Sequence, residues 1–150
     1  MHIEVDQSGR IEESKGTVLA FSDEISYAIL IPAKVKRDCL GILRSQRVKR
    51  IHLQIFCAGI FLLIERHLGK IESITIDEEY TGRERDIKRL LLQHIRNAGV
   101  DFQKESILFM NIGRKSEAHK KAIGVYRGKN QPDRVIEKPR YITRLILKKK

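Results

Sequence analysis

Residues 2–6 alternate between polar and apolar, with Ile3 and Val5 on one side, and this period of two predicts a first strand. Ser8-Gly9 reads as a turn. Residues 17–21 (Thr-Val-Leu-Ala-Phe) and 26–31 (Ser-Tyr-Ala-Ile-Leu-Ile) predict a second and a third strand, joined through Ser22-Asp23-Glu24. Short links favour antiparallel neighbours, so the chain opens as a three-stranded meander. Pro32 marks a helix entrance, and Val35, Cys39, Ile42 and Leu43 recur at helical spacing over residues 33–46. Segment 51–68 is apolar through Ile55, Phe56, Ala58, Ile60, Phe61, Leu62, Leu63 and Ile64. A helix of that character is buried or lies in a subunit interface. Its first part, 51–57, also alternates, which leaves a strand open there.

Residues 72–78 predict a strand ending in acid. Thr81 and Glu84 stand at the spacing of a capping box. The helix it would open carries Ile87, Leu90, Leu91, Ile95 and Ala98 on one face and stops at Gly99. Residues 106–112 predict a fifth strand, Gly113-Arg114-Lys115 a loop, and Ser116 the cap of a helix over 117–127 closed by Gly128. Residues 129–140 hold two prolines and read as a linker, and 141–147 as a short strand. No internal repeat is found. The order β-β-β-α-α-β-α-β-α implies an α/β fold, one mixed sheet of five strands with helices on its faces. The domain then covers residues 1–128, with a basic C-terminal extension over 129–150.

At 150 residues and 41% hydrophobic, the chain is long enough for one domain with a real core. No run of about eighteen uninterrupted apolar residues suggests a membrane span, and Met1-His2-Ile3-Glu4 does not look like a signal peptide. Cys39 and Cys57 make neither a CxxC pair nor a zinc set; they read as buried small hydrophobes, which fits a reducing cytoplasm. Thirty Lys and Arg against 19 Asp and Glu give a net charge of +11, which attracts polyanions and points to nucleic acid as partner. A basic amphipathic helix with exposed Trp or Phe, as a membrane surface would need, is not seen. The 33% of charged residues, with little Gln or Asn, leans toward a thermophilic source.

Candidate chemistry rests on two acids. Asp6 ends the first predicted strand and Asp77 the fourth. Neighbouring strands would bring both carboxylates to one rim, where they repel unless a divalent cation sits between them. That is how a metal-dependent phosphodiesterase site begins, with Mg²⁺ or Mn²⁺ as the ion. His119 reads as a further ligand or a proton-transfer group, and Glu84 as a secondary ligand candidate besides its capping role. Asp38 is a weaker candidate. Arg114 and Lys115 precede a helix start suited to phosphate, and Lys120 and Lys121 extend the patch. Lys148, Lys149 and Lys150 would add non-specific attraction. Tyr80 and Tyr126 are the candidates for base stacking, with core packing the competing role. No phosphate-binding or dinucleotide glycine motif and no nucleophile elbow is present.

This order of elements, with Asp6, Asp77 and His119 at three matching places, resembles the ribonuclease H-like superfamily over roughly residues 1–128. Three stretches narrow the resemblance: Met1 to Asp6; Ile76 to Tyr80 with Gly82 and Glu84; and Ile112 to Lys121. Together they are similar to a small archaeal branch of that superfamily. The resemblance implies a metal-dependent 3′-to-5′ exonuclease acting on single-stranded DNA and assembling as a trimer. Two departures stand out. The superfamily often draws another acid from the first helix, where only Asp38 or Glu65 could serve, and a second helix precedes the fourth strand. The rival readings are a non-catalytic nucleic-acid-binding module on the same fold and a dimeric junction resolvase. A structural partner protein is a third, with helix 51–68 as its contact.

Overall fold

The computed structural model describes residues 1–147. The first strands are β1 (His2–Ser8), β2 (Thr17–Ser22) and β3 (Ser26–Ile31). Helices α1 (Ala33–Ser45) and α2 (Ile51–Ile64) follow, the latter running into a 3₁₀ turn at Glu65–Lys70. The rest is β4 (Ser73–Asp77), α3 (Glu84–Asn97), β5 (Ile107–Met110), α4 (Glu117–Tyr126), β6 (Arg134–Val135) and α5 (Arg140–Leu147). The six described strands form one mixed sheet in the order β5-β4-β1-β2-β3-β6. β2 is antiparallel to β1 and β3, as the short links require, while β4 is parallel to β1 and β5 to β4 through helical crossovers.

The period of two sorts β2 cleanly. Leu19 and Phe21 face the main core, whereas Val18 and Ala20 face the small cluster under α4 with Ala28, Ala122 and Val125. Helix α4 therefore lies alone on one face, across β1, β2 and β3, and α1, α2, α3 and α5 lie on the other. Segment 51–57 is helical. The apolar surface of α2 is covered by its own chain: every residue from Ile55 to Ile64 is buried, against α1, α3, α5 and the sheet. Gly59 permits that close seat, since a Cβ there would stand 2.7 Å from Leu19 Cδ1. By length and composition alone the stretch Ile51–Lys70 could cross a membrane, but 67% of that window is buried in the fold. Cys39 and Cys57 are buried and unpaired, and burial pushes both thiols well up from their ordinary values.

Three local expectations are corrected. The strand predicted over 141–147 is helix α5: Ile142 is buried and Tyr141, Leu145 and Ile146 pack with it, a helical spacing that the β-branched and aromatic composition concealed. Within the predicted linker, Arg134 and Val135 pair in parallel with Ile29 and Leu30, which adds the sixth strand. The Thr81–Glu84 capping box does not form. Gly82 has a left-handed φ of 83°, so it cannot be the first helical residue after Thr81, and α3 begins only at Glu84 without a side-chain cap. Lys148, Lys149 and Lys150 lie outside the described residues.

One buried cation shapes the rim of the sheet. Lys36 of α1 is 1% exposed, and its Nζ donates to Arg10 O, Glu13 O and Thr17 Oγ1 at 3.0, 2.8 and 3.0 Å. All three ammonium protons are used, and the β1–β2 loop is held over α1. Lys36→Met should lower stability by about 2–4 kcal/mol in urea denaturation, because buried hydrogen bonds from a charged donor are removed. Amides of residues 10–16 should then exchange faster than those of the strands.

Candidate metal centre

Val5 of β1 stands beside Ile76 of β4 in the parallel register, so the next residues, Asp6 and Asp77, emerge side by side. Both lie on the face opposite the main core, because their neighbours Val5 and Ile76 point into it. Each is fixed by its own hydrogen bonds. Asp6 Oδ1 accepts the Gln7 N–H at 2.8 Å, and Asp6 Oδ2 lies 2.8 Å from His119 Nδ1. Asp77 Oδ1 accepts the Ile112 N–H at 2.9 Å, which ties it to the connection between β5 and α4.

A third carboxylate completes the group. After β4 the chain turns so that the Glu79 N–H donates to Asp77 O at 2.8 Å. One carboxylate oxygen from each of Asp6, Asp77 and Glu79 then lies within 4.8 Å of the others, a cluster able to hold a metal ion. The donor set, three carboxylates of which Asp6 is buried and Asp77 and Glu79 half-buried, fits a hard divalent cation. Burial is the main force raising the Asp6 pKa; the Asp77 charge adds to it, and the bonds from His119 and the Gln7 N–H oppose it. Glu79 is raised by burial first, then by Asp77 and Asp6, with Arg10 pulling the other way. Arg10 Nη2 also reaches Glu79 O at 3.4 Å.

Of the residues expected from sequence, Asp6 and Asp77 come together and His119 joins them through Asp6. His119 owes its place to the third position of α4. The start of that helix is set by Ser116, whose Oγ accepts the Ala118 N–H and donates to Glu4 Oε1 at 2.8 Å. Glu84 stands apart from the cluster, lining a cleft of about 360 Å³ with Arg85, Lys88, Lys104 and Phe109. The two helix acids are engaged elsewhere: Asp38 pairs with Lys34 at 2.9 Å and Glu65 with Arg134 at 3.0 Å. Glu79 is the acid that reasoning from sequence passes over. Its only signal in the sequence is nearness to Asp77, and the turn after β4 is what brings its carboxylate back to the cluster.

The basic residues divide. Lys120 pairs with Glu117 at 3.1 Å and Lys121 with Asp133 at 3.3 Å, so both are partly neutralised. Arg114 and Lys115 are exposed and make no ion pair among the described residues. Tyr80 packs against Phe56 at 4.7 Å between centroids and carries the Arg10 guanidinium at 5.1 Å, so its ring serves packing rather than base stacking. Tyr126 lies against Gly9. Compared with protein-family models, curated proteins and solved structures, the chain matches none of them.

Proposed function

We propose that the protein is a metal-dependent nuclease of the ribonuclease H-like type, hydrolysing phosphodiester bonds with Mg²⁺ or Mn²⁺. The observation that carries this reading is the convergence of Asp6 in β1, Asp77 at the end of the adjacent parallel β4 and Glu79 just after it, with His119 hydrogen-bonded to the first of them. The order of elements around that rim favours the superfamily resemblance. Single-stranded DNA as substrate, 3′-to-5′ polarity and a trimer follow from the resemblance and belong to the same proposal.

Asp6, Asp77 and Glu79 would hold the ion. When bound, a divalent cation activates water and neutralises charge on the phosphoryl oxygens. Asp6 orients His119 through Nδ1, which leaves Nε2 to exchange a proton with a leaving oxygen or a water. Arg114 and Lys115 supply positive charge from the loop before α4. Contacts to phosphate carry no sequence information, so cleavage should be weakly sequence-dependent.

The test is a labelled oligonucleotide, single- or double-stranded, DNA or RNA, incubated with the purified protein and Mn²⁺ or Mg²⁺. Progressive shortening of single-stranded DNA that stops in EDTA is expected. No cleavage with either ion, together with no ion binding by calorimetry, would overturn the reading.

A further inference from the structure

A second cleft opens at the same rim as the three acids, on the α2 side of the sheet. It encloses about 330 Å³ and is lined by Glu12, Arg50, His52, Leu53, Tyr80 and Arg83. Tyr80 is the chain neighbour of Glu79, and Arg10 bridges the two regions by touching Glu79 O and pairing with Glu12 at 3.1 Å. The cleft and the acid cluster are therefore joined through loop 78–83, which carries Glu79, Tyr80 and Arg83, and through Arg10 of loop 9–16.

Charge at this cleft is unbalanced. Of its lining residues, Arg50 and Arg83 share one carboxylate, Asp86, at 2.7 and 3.9 Å, and Asp86 is also approached by Arg89 from outside the cleft at 3.8 Å. Glu12 is already engaged by Arg10 and by the Tyr80 hydroxyl at 3.0 Å. Arg47 and Lys49, on the adjoining α1–α2 connection, are exposed and unpaired among the described residues. Positive charge held in place by a shared acid suits an oxyanion, and a guanidinium pair can grip one in bidentate fashion. Tyr80 is a poor platform for a base, since its ring already contacts Phe56 at 4.7 Å and carries the Arg10 guanidinium at 5.1 Å.

We propose that this cleft binds a backbone phosphate of the polynucleotide, one or more nucleotides from the bond at the acid cluster, with Arg50 and Arg83 as its ligands and His52 beside them. The proposal rests on the nuclease reading and adds a subsite to it. Arg114 and Lys115 stand on the α4 side of the sheet, so a strand crossing the acid cluster would meet cations on both sides.

The experiment measures binding of fluorescein-labelled oligothymidylate and oligouridylate by anisotropy in EDTA, over a series of salt concentrations. The proteins compared are wild type, Arg83→Gln, the pair Arg50→Gln with Arg83→Gln, and Lys34→Gln, which removes one positive charge outside the cleft. Arg83 is exposed and its approach to Asp86 is long, so its replacement leaves the fold intact. Arg83→Gln should weaken binding several-fold and the pair about tenfold or more, and the salt slope should shrink by about 0.7 for each phosphate no longer neutralised. With metal restored, KM should rise while kcat holds. Lys34→Gln should keep the wild-type slope. If wild type binds and the pair binds with the same Kd and slope, the cleft is not a phosphate site and the nuclease reading is untouched. If wild type neither binds the oligonucleotides in EDTA nor binds or cleaves them once metal is restored, the nuclease reading fails and the subsite with it.

Discussion

Asp77→Asn should reduce Mn²⁺-dependent cleavage by about three orders of magnitude, a loss of about 4 kcal/mol in barrier lowering. The substitution is informative because the asparagine Oδ1 can still accept the Ile112 N–H, so the loop before α4 keeps its anchor while the charge is removed. Asp6→Asn should reduce cleavage likewise, but its single amide oxygen can replace only one of the two acceptors that Asp6 offers to the Gln7 N–H and to His119 Nδ1. Both should fold, and in the absence of metal Asp77→Asn should be more stable than wild type at neutral pH, since the charge it removes repels Asp6 and Glu79. The sign follows from proton binding. Burial raises Asp6 above its ordinary 3.8 and Glu79 above its ordinary 4.5, so the folded protein holds these protons more tightly than the unfolded chain does. Their contribution to stability is complete below the ordinary carboxyl range and is lost as pH rises through the raised folded values. These two groups should therefore cost metal-free wild type stability as pH rises above about 4, and Asp6→Asn should flatten that decline. Saturating Mn²⁺ at pH 7 should restore it, by about 2.7 kcal/mol at a hundredfold excess over Kd. Thermal unfolding across pH, with and without Mn²⁺, measures all of this. A variant that retained wild-type cleavage, or a wild type indifferent to Mn²⁺, would remove the cluster from the mechanism.

Gly9→Ala should be the most destabilising single-methyl change near the site, by about 3 kcal/mol or more. Gly9 has φ 76°, in the left-handed region. A Cβ there would also stand 2.4 Å from Gly16 O and 2.5 Å from the Tyr126 ring. The tyrosine can rotate away, but the carbonyl belongs to the base of the β1–β2 loop and cannot move without opening it. The loop carries Arg10, so the variant should loosen Glu79 as well as lower the urea midpoint. A Gly9→Ala protein with wild-type stability would mean that the loop closes differently from the arrangement described.

What the chain encodes locally was readable. The alternation in residues 2–6 and 17–21 decides which side chains share a face, because successive strand residues must point to opposite sides. Asp6 and Asp77 each follow an inward apolar residue, so their common face follows from the same rule. Ser116 caps α4 as its residue type suggests, since a short hydroxyl side chain reaches a free N–H in the first turn. Where several local choices compete, the sequence was silent or misleading. Thr81 and Glu84 have the spacing of a cap, but Gly82 takes a left-handed φ of 83°, which breaks the helix between them. Tyr141 to Leu147 has strand-like composition, and only the apolar surface offered by α1 and α2 makes a helix the better burial.

The site divides along the same line. Two carboxylates and a histidine were visible as residue types, but the third acid, Glu79, depends on how a turn closes after β4. Likewise, the pairing of Lys120 and Lys121 with Glu117 and Asp133, and of Arg50 with Asp86 across 36 residues, decides which cations remain for a ligand. Periodicity is a property of neighbours in the chain, set by backbone geometry. Charge balance belongs to neighbours in space, because Coulomb energies and desolvation act over ångströms regardless of sequence distance, and only the folded structure specifies those distances.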